Sequence, residues 1–176
     1  MAYTPVKLIG LTRGPSLREA FILIFEVQET QRIVPIFVEK EEFEMVETAM
    51  QTGEHRPTRL MNRLAQRLML FPLKARILQP DGGDTSAMID FDRNGELVSL
   101  CLTVGEALIW ADQSHVPIVI SSDYINAFSR MADDTNAVRV PVDGMPTKLL
   151  QEAIETAVKE DNFELASKLR DELAKR

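Results

Sequence analysis

The chain has 176 residues, 45% of them hydrophobic and 27% charged, enough for one core and an appendage. Its formal net charge of −7 opposes indiscriminate attraction to nucleic acid or anionic lipid, so a phosphate-binding surface has to be a local exception. No apolar run approaches the ~20 residues of a membrane span, and MAYTPVKLIG lacks the layout of a signal peptide, so a cytoplasmic protein with no membrane partner is expected. The single Cys101 excludes an intrachain disulfide. With only His55 and His115 beside it, a tetrahedral zinc site of nitrogen and sulfur ligands cannot close within one chain.

In chain order, VKLIGLT (6–12), FILIFEV (21–27) and RIVPIFV (32–38) read as strands. The second has no polar alternation, which predicts a strand covered on both faces, and Pro35 predicts an edge or bulge position in the third. The period then changes. EKEEFEMVETAMQTG (39–53) places Phe43, Val46, Ala49 and Met50 at helical spacing, with acids in the opening turns and Gly53 as the stop. The same order recurs in LKARILQ (73–79), SAMIDFD (86–92) and ELVSLCL (96–102), with DRNG (92–95) as a hairpin turn, followed by helical VGEALIWADQ (104–113). Two pseudo-repeated β3α units on one core predict an α+β fold. HVPIVIS (115–121) reads as a closing strand, and SDYINAFSRMA (122–132) as a short helix capped by Ser122 or Asp123.

Between the units, HRPTRLMNRLAQRLML (55–70) reads as a helix opened by Pro57. Arg56, Arg59, Arg63 and Arg67 fall on one stripe beside an apolar stripe of Leu60, Leu64 and Leu68. Residues 54–76 carry six positive side chains against Glu54, a local +5 that leaves −12 elsewhere. Either this is a solvated helix face answering acids such as Glu42, Glu44 and Glu47, or it tracks phosphate.

The runs VPIFVEKEEFEMVETAMQTGEHRP and LTVGEALIWADQSHVPIVISSDYI resemble the bifunctional nuclease domain family over about residues 5–130, through Pro35-Ile36, Arg56-Pro57, Glu106-Ala107, Ala111 and Pro117-Ile118. The C-terminal TKLLQEAIETAVKEDNFELASKLRDELAKR resembles the UVR motif, the helical hairpin of the excision-repair subunits UvrB and UvrC, with Phe163, Ala166, Leu169, Arg170 and Asp171 in the motif's positions. The first resemblance implies metal-dependent cleavage of RNA and DNA, and the second a tail that contacts protein through Phe163, Leu169, Arg170 and Leu173. One junction departs from the nuclease pattern. Where the family reads Asp-x-Arg-x-Ser-Asp-Ala, this chain reads Cys101-Leu102-Thr103-Val104-Gly105-Glu106-Ala107.

Phosphodiester hydrolysis assisted by Mg²⁺ or Mn²⁺ needs carboxylates on the metal and cations on the phosphate. Glu106 is the leading metal ligand and catalytic acid. Asp90 joins it as catalytic and metal candidate, and Asp92 as a metal candidate, provided that their face of the strand borders the helix carrying Glu106. The structural alternatives are a turn carboxylate for Asp92 and a dipole-favoured first-turn acid for Glu106. Arg56, Arg59, Arg63 and Arg67 would face phosphate. The Arg stripe favours a nuclease; the altered junction favours a non-catalytic adaptor that kept the fold and the tail. DQSH (112–115) is no catalytic triad, and Asp81-Gly82-Gly83-Asp84 lacks the spacing of a nucleotide loop.

Residues 1–132 are thus expected to form the nuclease-like domain, 133–146 a linker, and 147–176 the hairpin. In the hairpin, Thr147 and Asp161 are the expected caps, Glu164 completes a capping box, and Leu150, Ala153, Ile154, Ala157 and Val158 face Phe163, Ala166, Leu169 and Leu173. Two helices of three turns do not offset the cost of their own ordering. The tail is expected to dock on its own core, pair with another copy or bind a partner's hairpin, and self-association into a homo-oligomer is expected.

Overall fold

The two halves of the chain come together as one eight-stranded sheet in the computed structural model, which describes residues 2–13, 20–53, 55–78, 85–131, 145 and 147–175. The strands are β1 (Tyr3–Arg13), β2 (Phe21–Val27), β3 (Arg32–Val38), β4 (Phe71–Ile77), β5 (Ala87–Arg93), β6 (Glu96–Leu102), β7 (Ile118–Ser121) and β8 (Arg130–Met131). Their spatial order is β6-β5-β4-β7-β1-β2-β3-β8. Each pseudo-repeat contributes an antiparallel trio, and β7 joins them, antiparallel to β1 and parallel to β4. The helices are α1 (Lys40–Thr52), α2 (Arg56–Arg67), α3 (Val104–Ser114), α4 (Ser122–Phe128), α5 (Thr147–Lys159) and α6 (Phe163–Leu173).

Alternation along the strands divides the apolar residues between two cores. Phe21, Leu23 and Phe25 of β2, Val34 and Ile36 of β3, and Ile89 and Phe91 of β5 point to the face covered by α1 and α3. Phe21 meets Phe43 of α1 with ring centroids 5.3 Å apart, and Phe91 meets Trp110 of α3 at the same distance, edge to face. The intervening residues Ile22 and Ile24 of β2 and Phe37 of β3 point the other way, into a second cluster with Met145, Leu150, Ala153, Ala157, Ala166 and Leu169. The uninterrupted apolar run of β2 therefore has its physical reason: α5 and α6 cover the face that would otherwise be wet. The tail docks on its own sheet.

Local sequence explains most boundaries. Gly53, at φ 66°, closes α1 by donating its N–H to Ala49 O, a left-handed position where glycine carries no steric penalty. Pro35 lies beyond the two residue pairs that join β3 to β8, on the nearly open margin where a missing N–H interrupts no ladder. Gly105 stands at the close approach of α1 and α3, where a Cβ would lie 3.1 Å from Met45 Cε and 3.3 Å from Glu42 O.

Several expected boundaries shift. Ser121, still in extended conformation at the end of β7, caps α4 by accepting from Tyr124 N, one residue ahead of the expected caps, and α4 stops at Phe128 so that Arg130 and Met131 can pair with β3. The cap of α6 is Asn162, whose Oδ1 accepts from Leu165 N. Asp161 takes φ 56° in the turn, and Asn162 N donates back to Ala157 O at 2.8 Å. Glu164 pairs with Lys168 at 2.8 Å, one turn on, in place of a capping box. The expected loop at 81–84 and, except for the buried Met145, the expected linker at 133–146 lie outside the described residues.

Candidate functional site

Asp90 is the most buried charged group among the described residues, only 1% exposed, and it is fully engaged. The β4–β5 register sets Arg76 and Lys74 on its own face of the sheet, and the β5–β6 register sets Ser99 directly opposite. Arg76 donates from Nε to Oδ2 and from Nη2 to Oδ1, both at 2.7 Å, in a bidentate pair; Ser99 Oγ donates to Oδ1 at 2.7 Å, and Lys74 Nζ lies 4.0 Å from Oδ2. The Arg76 guanidinium also stacks 5.6 Å from the Tyr3 ring. Burial pulls the Asp90 carboxyl upward, but the hydrogen bonds from Arg76 and Ser99 and the charges of Arg76 and Lys74 outweigh it and hold the group below the usual carboxylate range.

The other two acids are elsewhere. Asp92 Oδ1 accepts from Gly95 N at 2.9 Å, closing the turn that joins β5 to β6. Glu106 is exposed at the third position of α3, where its Oε2 accepts from Thr103 N at 3.0 Å while Thr103 Oγ1 accepts from Glu106 N, a reciprocal capping box. Asp90 and Asp92 alternate with Ile89 and Phe91, whose face α3 covers, so the sheet lies between these aspartates and Glu106. The condition that their face border the Glu106 helix is not met. The arrangement does not fit Mg²⁺ or Mn²⁺ as a shared ion: the oxygens of Asp90 are saturated by cationic and hydroxyl donors. Among the described residues no three of His, Cys, Asp and Glu are grouped to hold a metal.

The arginine stripe forms as a helical face. Arg56, Arg59, Arg63 and Arg67 are all exposed on α2, while Thr58 and Ala65 are buried and Asn62 Oδ1 accepts from Ser114 Oγ of α3 at 3.2 Å. That contact is at the last turn of α3, eight residues or about 12 Å along the helix from Glu106. The acids named as possible neighbours of the stripe have roles of their own: Glu44 pairs with Lys40, Glu47 with Arg13, and Glu42 Oε1 accepts from Gly105 N. The helix docks through a narrow strip of small and polar residues, so the leucine stripe faces solvent instead of the core, and Leu60, Leu64 and Leu68 are each half exposed or more.

The hairpin splits its four candidate contact residues between two directions. Leu169 is buried and Leu173 half-buried against the sheet, whereas Arg170 is exposed and Phe163 is 62% exposed at the start of α6. Val158, near the end of α5, is also exposed, so the tip of the hairpin presents an apolar pair. A cavity of about 520 Å³ opens at the C-terminal ends of α1 and α3, lined by Val46, Met50, Leu108 and Val116 with Lys7, Asp112 and His115 among its polar groups. None of the residues singled out from the sequence as site candidates lines it.

The Asp90 network was missed as such, because Arg76 is 14 residues away in the chain and only the strand register brings it to the carboxylate. Comparison with known families adds one finding: residues 147–175 match the family model described as the UvrB/uvrC motif. No curated protein matches the chain. The resemblance of residues 5–130 to the bifunctional nuclease domain rests on their residue pattern alone. No helix among the described residues is long and apolar enough to cross a membrane.

Proposed function

We propose that the chain is a non-catalytic adaptor that contacts a protein partner through the outward face of its UVR hairpin, around Phe163 and Arg170. The docked hairpin carries this reading: its inner stripe completes the second core, which leaves the exposed Phe163 as an apolar anchor unused by the fold. The dispersal of the acids supports it as well. Asp90 serves an ion pair, Asp92 a turn and Glu106 a cap, and each role is satisfied without a metal or a substrate.

The rival reading, metal-dependent cleavage of RNA and DNA with Glu106 and Asp90 as the acids, draws on the exposed Arg56, Arg59, Arg63 and Arg67 as a phosphate-facing row. Incubation of purified protein with labelled single-stranded RNA and DNA in Mg²⁺ or Mn²⁺ separates the two. The adaptor reading expects no cutting above an EDTA control; cutting that requires metal and is abolished by Glu106→Ala would establish the nuclease.

A further inference from the structure

We propose that two copies of this chain associate by pairing β6 with β6 across a two-fold axis, a surface that goes beyond the hairpin contact proposed above. The two ends of the sheet are built differently. At one end the two-residue β8 and α4 close off part of β3, and at the other β6 presents seven residues, ELVSLCL, with no strand beyond it among the described residues. Long apolar edges invite pairing, and natural edges are usually blunted by lysine, proline or a bulge. β6 has none of these, and its one charge is Glu96 at the very end.

Hairpin geometry fixes which groups are open. Asn94 and Gly95 have φ of 55° and 86°, the two-residue primed turn, so Arg93 and Glu96 form a hydrogen-bonded pair. Bonding then alternates: Val98, Leu100 and Leu102 bond inward to β5, and Leu97, Ser99 and Cys101 direct their N–H and C=O groups outward. An antiparallel partner centred on Ser99 uses all three, placing Ser99 opposite its own copy, Leu97 opposite Cys101, and Val98 opposite Leu100. No like charges meet in this register, so the edge is complementary to itself.

Apolar side chains flank the edge on both faces. Leu97 is 63% exposed and Leu100 40%, and, three residues apart on a strand, they lie on opposite faces of the sheet. The hairpin sits over β2 and β3 at the far end of the sheet, so pairing leaves it unobstructed.

Sedimentation equilibrium of the full chain at 1–100 µM tests the association, and a cysteine series tests the register. The native chain is expected to sediment at twice its monomer mass, and Leu97→Lys, at a position 63% exposed and so tolerant of substitution, is expected to raise the dimer dissociation constant at least 100-fold with circular dichroism unchanged. Ser99→Cys in a Cys101→Ala background should form an intermolecular disulfide under mild oxidation. Native Cys101 should not, because two Cys101 residues in this register are offset by four residues, about 13 Å. A chain that stays monomeric at 100 µM overturns the proposal, as does a dimer that is indifferent to Leu97→Lys and forms no Ser99→Cys crosslink.

Discussion

Leu150→Ala probes the docking of the tail more sharply than any deletion. Leu150 is fully buried in the cluster that joins α5 and α6 to Ile22, Ile24 and Phe37, and it lies on the hairpin, outside the core shared by α1 and α3. Truncating a fully buried leucine removes its transfer free energy and leaves a cavity, together about 3 kcal/mol within a range of 2 to 5. For a chain of this size that corresponds to a fall in melting temperature of roughly 6–12 °C, if sheet and hairpin unfold together. Urea denaturation followed by circular dichroism, with Trp110 fluorescence as a reporter of the first core, would show both probes shifting by the same amount. If the hairpin opens as a separate unit, the loss would appear in the exchange of its own amides before it reached the sheet. A loss below about 0.5 kcal/mol in both measurements would refute the docking, because a leucine free of contacts cannot leave a cavity.

Asp90→Asn leaves Arg76 facing a neutral amide, and since the Arg76 side chain is still one-fifth exposed the cost should fall at or below the usual range for a broken buried pair, about 2–3 kcal/mol by urea melts at pH 7. Because the Asp90 carboxyl is held below its usual value in the folded chain, that advantage is present above the unfolded value of 3.8 and disappears as pH falls through the folded one. The difference between wild type and Asp90→Asn should therefore be constant from pH 5 to 7 and shrink below pH 4. Glu106→Ala removes the acceptor of Thr103 N and should cost about 0.5–1 kcal/mol in thermal melts, with no change in phosphodiester cleavage. Phe163→Ala should alter stability by less than about 0.5 kcal/mol yet weaken capture of a binding partner at least tenfold, whereas Leu169→Ala should cost about 2–4 kcal/mol.

The order of strands and helices was legible because period two and period 3.6 are local properties. β2, β3 and β6 fall on the expected residues, and the β3α repeat emerges as two antiparallel trios joined by β7. What lay beyond the sequence was long-range pairing. The run FILIF announced a strand covered on both faces, but periodicity does not name the cover, which is a hairpin more than 100 residues later. The same limit applies to Asp90, whose alternation was compatible with solvent or a site until the register of β4 supplied Arg76. On α2 the apolar stripe was visible, but its burial was not: the helix docks through Thr58 and Ala65, and only tertiary packing reveals that the leucines remain outside. The caps of α4 and α6 each moved by one residue for a local reason: the backbone of Ser121 is still extended at the end of β7, and Asp161 takes the left-handed turn conformation, which leaves Asn162 to cap α6.

The tail completes the second core and turns Phe163 outward, where a partner contact is proposed, and amide hydrogen exchange of the full chain tests this arrangement most directly. If Leu150, Ala153, Ala157, Ala166 and Leu169 are packed on Ile22, Ile24 and Phe37, the amides of α5 and α6 should be protected for as long as the hairpin stays docked, and Leu150→Ala should accelerate their exchange about 100-fold. Exchange of α5 and α6 at the rate of an unstructured peptide, unchanged by Leu150→Ala while β2 and β3 remain protected, would mean that the hairpin is a free appendage and that the outward face assigned to Phe163 does not exist.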